Sequence, residues 1–253
     1  VSVFVDGLKS SFVDALDQTI KSDLITVSEG FTPLPGGAVE ATRSAPGVES
    51  VLGVAFAEVK VTGASGTDAL NAVDPADTER IVNFDWENGG SNALLAQLGT
   101  NGAIIERDFA TTHGLSTGES FSVTTLDGDD ATFRVLGEYR DPQLFTGFVV
   151  SNTVYDTLFP DRDVGVILTS FADGTSLDDG KAAVELALKA TYPAAKVRSN
   201  EEYKDFISTQ INQILAIFYV LLAFSVLISL FGVLITLLLA VYERTREIGM
   251  MRA

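Results

Sequence analysis

The sequence predicts an α+β fold: a ferredoxin-like lobe of two β-α-β units with a β-rich lobe inserted into it. An N-terminal stalk helix and a C-terminal stalk and transmembrane helix flank this body. Three observations carry the prediction. Strand-helix-strand patterns recur near both ends of the body, a strand-turn-strand pattern lies between them, and Phe206–Tyr242 contains no Asp, Glu, Lys or Arg. The expected organisation is 1–20 as the stalk helix, 21–205 as the core domain with 64–150 inserted, 206–242 as stalk and span, and 243–253 as the start of an elbow.

At the N-terminus, Val1, Val5, Leu8, Phe12, Ala15/Leu16 and Thr19/Ile20 recur at helical spacing, with Lys9, Asp14 and Asp17 off the stripe. The charges inside that pattern exclude a signal peptide. The chain starts at Val1 and stops two residues past a Met pair, so both ends are expected to be cuts and the stripe to be the outer end of a missing span. The stripe fits a stalk packed against another helix, or a helix packed on its own domain.

"SDLITVSE" (22–29) alternates as a strand, "FTPLPGG" is a loop by its Pro and Gly, and Gly37–Ser44 suits a short helix. "PGVESVLGVAFAEVKVTG" then runs on as a long β-branched strand, which completes the first β-α-β unit. The second is "DVGVILTSF" (163–171), a helix over Ser176–Thr191, and "AKVRS" (195–199). Two such units folded together give a split sheet. Between them a strand, a short helix ended by Gly114, and a hairpin follow in turn. Asp127-Gly128 supplies the hairpin turn between Ser120–Leu126 and Ala131–Glu138.

The charge-free run has 37 residues, about 55 Å of helix, where a bilayer core needs about 30 Å. Its polar opening, "FISTQINQ", can lie in water, and Ile214–Val241 is the span. Ile207, Ile211, Ile214, Phe218 and Leu221 are spaced 4, 3, 4, 3, an a/d seam. Ser225, Ser229, Gly232, Thr236 and Ala240 step along one face, and small residues at that spacing let membrane helices approach closely. Arg244, Arg246 and Arg252 follow the span, whereas Arg198 and Lys204 before it stand among Glu201, Glu202 and Asp205. The basic excess places the C-terminal end in the cytoplasm and the acidic body outside.

The formal charge of −17 argues against nucleic acid as a partner. With no cysteine there is no disulfide framework or thiolate metal site. The one histidine, His113, sits at a helix end, where imidazole favours the dipole and faces water, and a lone His makes no usual zinc site. "DGDD" (127–130) lacks calcium-loop spacing, and Asp161 and Asp163 flank Arg162 in what reads as a solvated turn. There is no phosphate loop and no G-x-S-x-G. No residue is singled out as catalytic, cofactor-binding or metal-ligating, and no cofactor is implied.

The arginines of "YERTREIGMMRA" fit a plain membrane anchor, but Glu243, Glu247 and Gly249 do not follow from it. "ERTREIGMMRA" resembles the signature after the second transmembrane helix in the FtsX-like permeases of bacterial ABC transporters, the MacB type. "GAIIERDFATTHGLSTGESFSV" is similar to a strand-helix-turn of that family's periplasmic core domain, although Glu119 stands where the family often has Asp. "APGVESV" is similar to its "PGV" strand entry. The family has one span before the core domain and at least two after it, and only one is here.

The resemblance implies a permease subunit without ATPase activity of its own, working as a homodimer or pseudo-dimer in the inner membrane with a separate cytoplasmic ABC ATPase. ATP-driven closure of that ATPase would move the stalk and outer domain, a mechanotransmission mechanism for export or extraction of a substrate. Glu243, Arg244, Arg246, Glu247, Gly249 and Arg252 would form the coupling elbow, and Ile207–Leu221 the rod. The alternative is a single-pass, membrane-anchored sensor or binding protein. An outer-side enzyme is disfavoured by the lack of a catalytic constellation.

Overall fold

A computed structural model of the chain describes residues 7, 16, 18–30, 32–140 and 144–251, with only the backbone of 246–249 and 251. It divides into two units, Val1–Lys204 and Asp205–Ala253. Of the predicted N-terminal stripe, Val1, Val5, Leu8, Phe12 and Ala15 lie outside the described residues. Leu16 and Thr19 are helical, and Ile20 bridges to Val82. Leu16 and Ile20 are buried with Ile25 and Val27, so this end of the stripe packs on the first unit.

Both predicted β-α-β units form. The first is β1 (Leu24–Ser28), α1 (Gly37–Arg43) and the long β3 (Val48–Val61), with a two-residue β2 (Leu34–Pro35) in the loop. The second is β10 (Asp163–Phe171), α5 (Leu177–Lys189) and β11 (Ala195–Ser199). Their strands lie in the order β11-β1-β10-β3, all antiparallel, so β10 splits the first unit. Alternation decides what each face covers. Leu24, Val51 and Ile167 join the core that includes Val184 and Leu188 of α5. Ile25, Leu52 and Leu168 join a second core on the opposite face.

Between β3 and β10 the chain adds β4 (Asp68–Val73), α2 (Pro75–Ile81), β5 (Asp85–Trp86), β6 (Gly102–Glu106) and α3 (Arg107–His113). It continues with β7 (Ser120–Thr125), β8 (Asp130–Arg140), β9 (Phe148–Ser151) and α4 (Asn152–Leu158). The predicted hairpin is β7-β8: Gly128 N–H bonds Thr125 O at 3.1 Å, and Asp129 N–H bonds the Thr125 hydroxyl at 3.0 Å.

Six strands close into a ring. β3 pairs with β4, β4 with β9, β9 with β6, β6 with β8, β8 with β7, and β7 returns to β3. The inward residues follow period 2: Val59 and Val61, Leu70 and Ala72, Ala103 and Ile105, Phe121 and Val123, Phe133 and Val135, Phe148 and Val150. Phe121, Phe133 and Phe148 meet with ring centroids 5.1–5.8 Å apart, within the range of favourable tilted and edge-on pairs. Phe109 of α3 stacks on two of them. Gly147 enters β9 at φ +80, where an added Cβ would lie 2.1 Å from Ala69 O, so this crossing requires glycine.

β3 serves both lobes. Val48–Ala55 pairs with β10, and Ala55–Val61 supplies the ring. The two lobes therefore share one continuous strand.

Candidate functional site

The long helix α6 (Asn200–Met251, 52 residues) begins at the end of β11. Helix starts leave backbone N–H groups without intrahelical partners. Here Ser199 Oγ accepts from Glu202 N–H at 3.2 Å, and Glu202 Oε2 accepts from Ser199 N–H at 2.9 Å. This reciprocal pair is a capping box. Glu202 also accepts from Lys181 Nζ on α5 at 2.7 Å. The Lys181 hydrogen bond, followed by the Ser199 N–H, holds the Glu202 carboxyl below its ordinary range. Asn200 Nδ2 donates to Ser22 O at 2.6 Å, ahead of β1, and Tyr203 packs against the core that holds Leu16 and Ile20. Ser199 N–H is thus occupied, as is Ala195 N–H by Tyr192 O at 2.9 Å.

Beyond this launch, Ile207 and Ile211 of the seam are half-buried, while Ile214, Phe218 and Leu221 are exposed. Ser225, Ser229, Gly232, Thr236 and Ala240 are all exposed on the helix, with open space around Gly232. The Thr236 hydroxyl donates to Gly232 O at 2.8 Å, which satisfies it inside an apolar surrounding. Among the described residues this is the one helix long and apolar enough to cross a membrane. Glu243 and Arg244 are exposed on its last turns. Arg246, Glu247 and Gly249 continue the helical backbone, their side chains outside the described residues, as is Arg252 altogether.

Within the first unit, a cleft of about 780 Å³ is lined by Glu40, Arg43, Asp74, Asn152 and Arg162. Arg43 bridges to Asp77 at 2.8 Å and donates to Val51 O at 2.9 Å, and Arg162 pairs with Asp156. Asn152 Oδ1 is buried there without a hydrogen-bond partner among the described residues. His113 corrects the expectation of a water-facing imidazole. Its side chain is 8% exposed, stacks on Phe109 at 4.4 Å, and places Nε2 3.2 Å from Asp68 Oδ1. Glu106 is also buried, and desolvation pushes its carboxyl above the ordinary range against the pull of backbone N–H groups of Asp108, Phe109 and Gly147. Among the described residues no group of His, Asp and Glu could hold a metal ion.

The model of the MacB-like periplasmic core domain family matches residues 1–187. The chain belongs to that family. The fold agrees. The periplasmic region of MacB from Actinobacillus actinomycetemcomitans superposes with a TM-score of 0.56 at 13% identity, over 76% of this chain and 95% of that one. The extracellular domain of the noncanonic ABC-type transporter YknZ from Gram-positive bacteria does so with 0.51 at 14% identity, over 72% and 100%. No curated protein matches the chain. Membership of the MacB-like periplasmic core domain family, together with an apolar C-terminal helix long enough to span a membrane, supports an extracytoplasmic, membrane-anchored core domain.

For this member of the MacB-like family, the launch of α6 is the part that sequence reasoning missed. Its signal was present as "SNEE" (199–202), an S-x-x-E capping pattern ahead of an apolar run. Lys181 carried no such signal, because its partner is 21 residues away.

Proposed function

We propose that this chain is the core domain and following span of a permease subunit that works by mechanotransmission, passing the closure of a partner cytoplasmic ATPase to its extracytoplasmic domain. One observation carries the reading: a single unbroken helix, Asn200–Met251, starts at the end of β11 and includes the whole apolar run. A helix hydrogen-bonded along its length transmits displacement without absorbing it at a flexible linker. Under this reading Ile207, Ile211, Ile214, Phe218 and Leu221 form the rod, and Ser225, Ser229, Gly232, Thr236 and Ala240 face a partner helix. Glu243, Arg244, Arg246, Glu247, Gly249 and Arg252 form the cytoplasmic elbow beside the ATPase. The permease acts as a homodimer or pseudo-dimer, and residues 64–150 form an inserted lobe within 21–205.

The test is the double charge reversal R246E/E247R in the assembled permease-ATPase complex, read as stimulation of ATP hydrolysis by the permease. Stimulation is expected to fall about tenfold, the scale of an ordinary coupling free energy. Unchanged stimulation removes the elbow from the mechanism. A second reading, a membrane-anchored binding protein, is favoured by the polar cleft beside Asn152. It predicts that the elbow reversal leaves the extracytoplasmic function intact.

A further inference from the structure

We infer that the first turn of α6 is a fixed joint, in which Glu202 and Asn200 tie the long helix to α5 and to the start of β1 so that displacement enters the core domain without being lost to fraying. This rests on the mechanotransmission reading and names the residues that serve it.

Helix ends ordinarily open more readily than helix interiors, and a rod that frays where it meets its load transmits nothing. Ser199 and Glu202 alone satisfy the cap. The chain adds two cross-ties that capping does not require. Lys181 Nζ reaches the Glu202 carboxylate at 2.7 Å from the second turn of a different helix, and Asn200 Nδ2 reaches Ser22 O at 2.6 Å. The carboxylate of Glu202 is therefore shared between the cap of α6 and the side of α5. Tyr203 adds a ring packed against the apolar core. Ser199, Asn200, Glu202 and Tyr203 thus engage α5, the end of β11, the lead into β1, and the core. The Lys181 and Glu202 side chains are 23% and 50% exposed, so solvent screens their pair and its contribution to bulk stability is small. Its position at the root of a 52-residue helix gives it a mechanical role out of proportion to its energy.

The test uses the full permease with its ATPase in lipid nanodiscs, followed by hydrogen-exchange mass spectrometry with and without ATP. In the wild type, ATP is expected to change exchange in peptides covering β1 and β10. Glu202→Ala, which removes both cap and cross-tie, is expected to shrink that ATP response at least about fivefold. Exchange in β6–β8 without ATP is expected to stay at the wild-type level, as a merely structural loss would not allow. Glu202→Gln, whose amide oxygen still accepts from Ser199, is expected to keep about half the response.

Lys181→Met leaves the cap intact and is expected to lower the response about threefold, which keeps the test decisive if Glu202→Ala misfolds. A full wild-type response in Glu202→Ala or in Lys181→Met overturns the joint while leaving mechanotransmission in place. No ATP response in the wild type itself overturns the mechanotransmission reading, and the joint with it.

Discussion

Phe133 and Phe231 are the same side chain put to opposite uses. Phe133 lies inside the strand ring at 0% exposure, where it meets Phe121 and Phe148. Phe231 sits on α6 at 61% exposure, with apolar neighbours on every side of the helix. Around Phe133 on β8, buried Phe133 and Val135 alternate with exposed Thr132 and Arg134 because one face meets the core and the other meets water, whereas β6 and β9 bury both faces, with Ile104 and Val149 in the second core. Along Ile214–Val241 there is no alternation and no charged face. The same residue types thus specify a packed interior in one region and a lipid-facing surface in the other. What separates the two is period and run length, not composition.

The largest effect that sharpens this contrast comes from emptying the ring. Phe133→Ala is expected to lower stability by about 4 kcal/mol, or roughly 10 °C in the melting temperature of the core domain, measured by thermal denaturation in detergent. Phe231→Ala should leave that melt unchanged. A comparable drop from Phe231→Ala would mean that its face is packed in the folded protein.

Next in size is a charge placed in each region. Leu234→Arg, in the middle of the span, is expected to disfavour membrane insertion by about 3 kcal/mol in a glycosylation-based insertion assay. Leu126→Arg, at the exposed hairpin turn, should change stability by less than about 0.5 kcal/mol. Efficient insertion of Leu234→Arg would break the assignment of the run as a span.

The smallest effect is a slope. Glu106 has its folded carboxyl raised, first by desolvation and then by the nearby Asp108 charge. As pH rises from the unfolded carboxyl's range through the folded one, the native state binds more protons than the unfolded chain. Stability is therefore full below the unfolded value and declines across that window. Glu106→Gln is expected to flatten this decline in urea titrations run from pH 4 upward. An unchanged slope would mean that Glu106 is solvated.

Much of the architecture was legible along the chain because its signals are local. The β-α-β units announce themselves by a change from period 2 to helical spacing within about 40 residues, and they fold at 24–61 and 163–199 as read. The β7-β8 hairpin was legible from Asp127-Gly128. The launch of α6 was half legible: "SNEE" encodes the cap, but neither Lys181 nor Ser22 advertises its partner. His113 misled because the end of α3 suggested water, while Phe109 and Asp68, the latter 45 residues away, enclose the ring.

The sequence by itself determined the membrane run, the charge asymmetry around it, the two β-α-β units and the family resemblance. Each depends on neighbours within a turn, a strand or a short motif. Only the tertiary structure decided that β3 would serve two lobes, that β7 would return to β3 and close six strands into a ring, and that Glu202 would be held from two elements at once. Those outcomes join residues tens of positions apart. They are settled by which apolar faces can be covered together and which polar groups then find partners, and no local period records that.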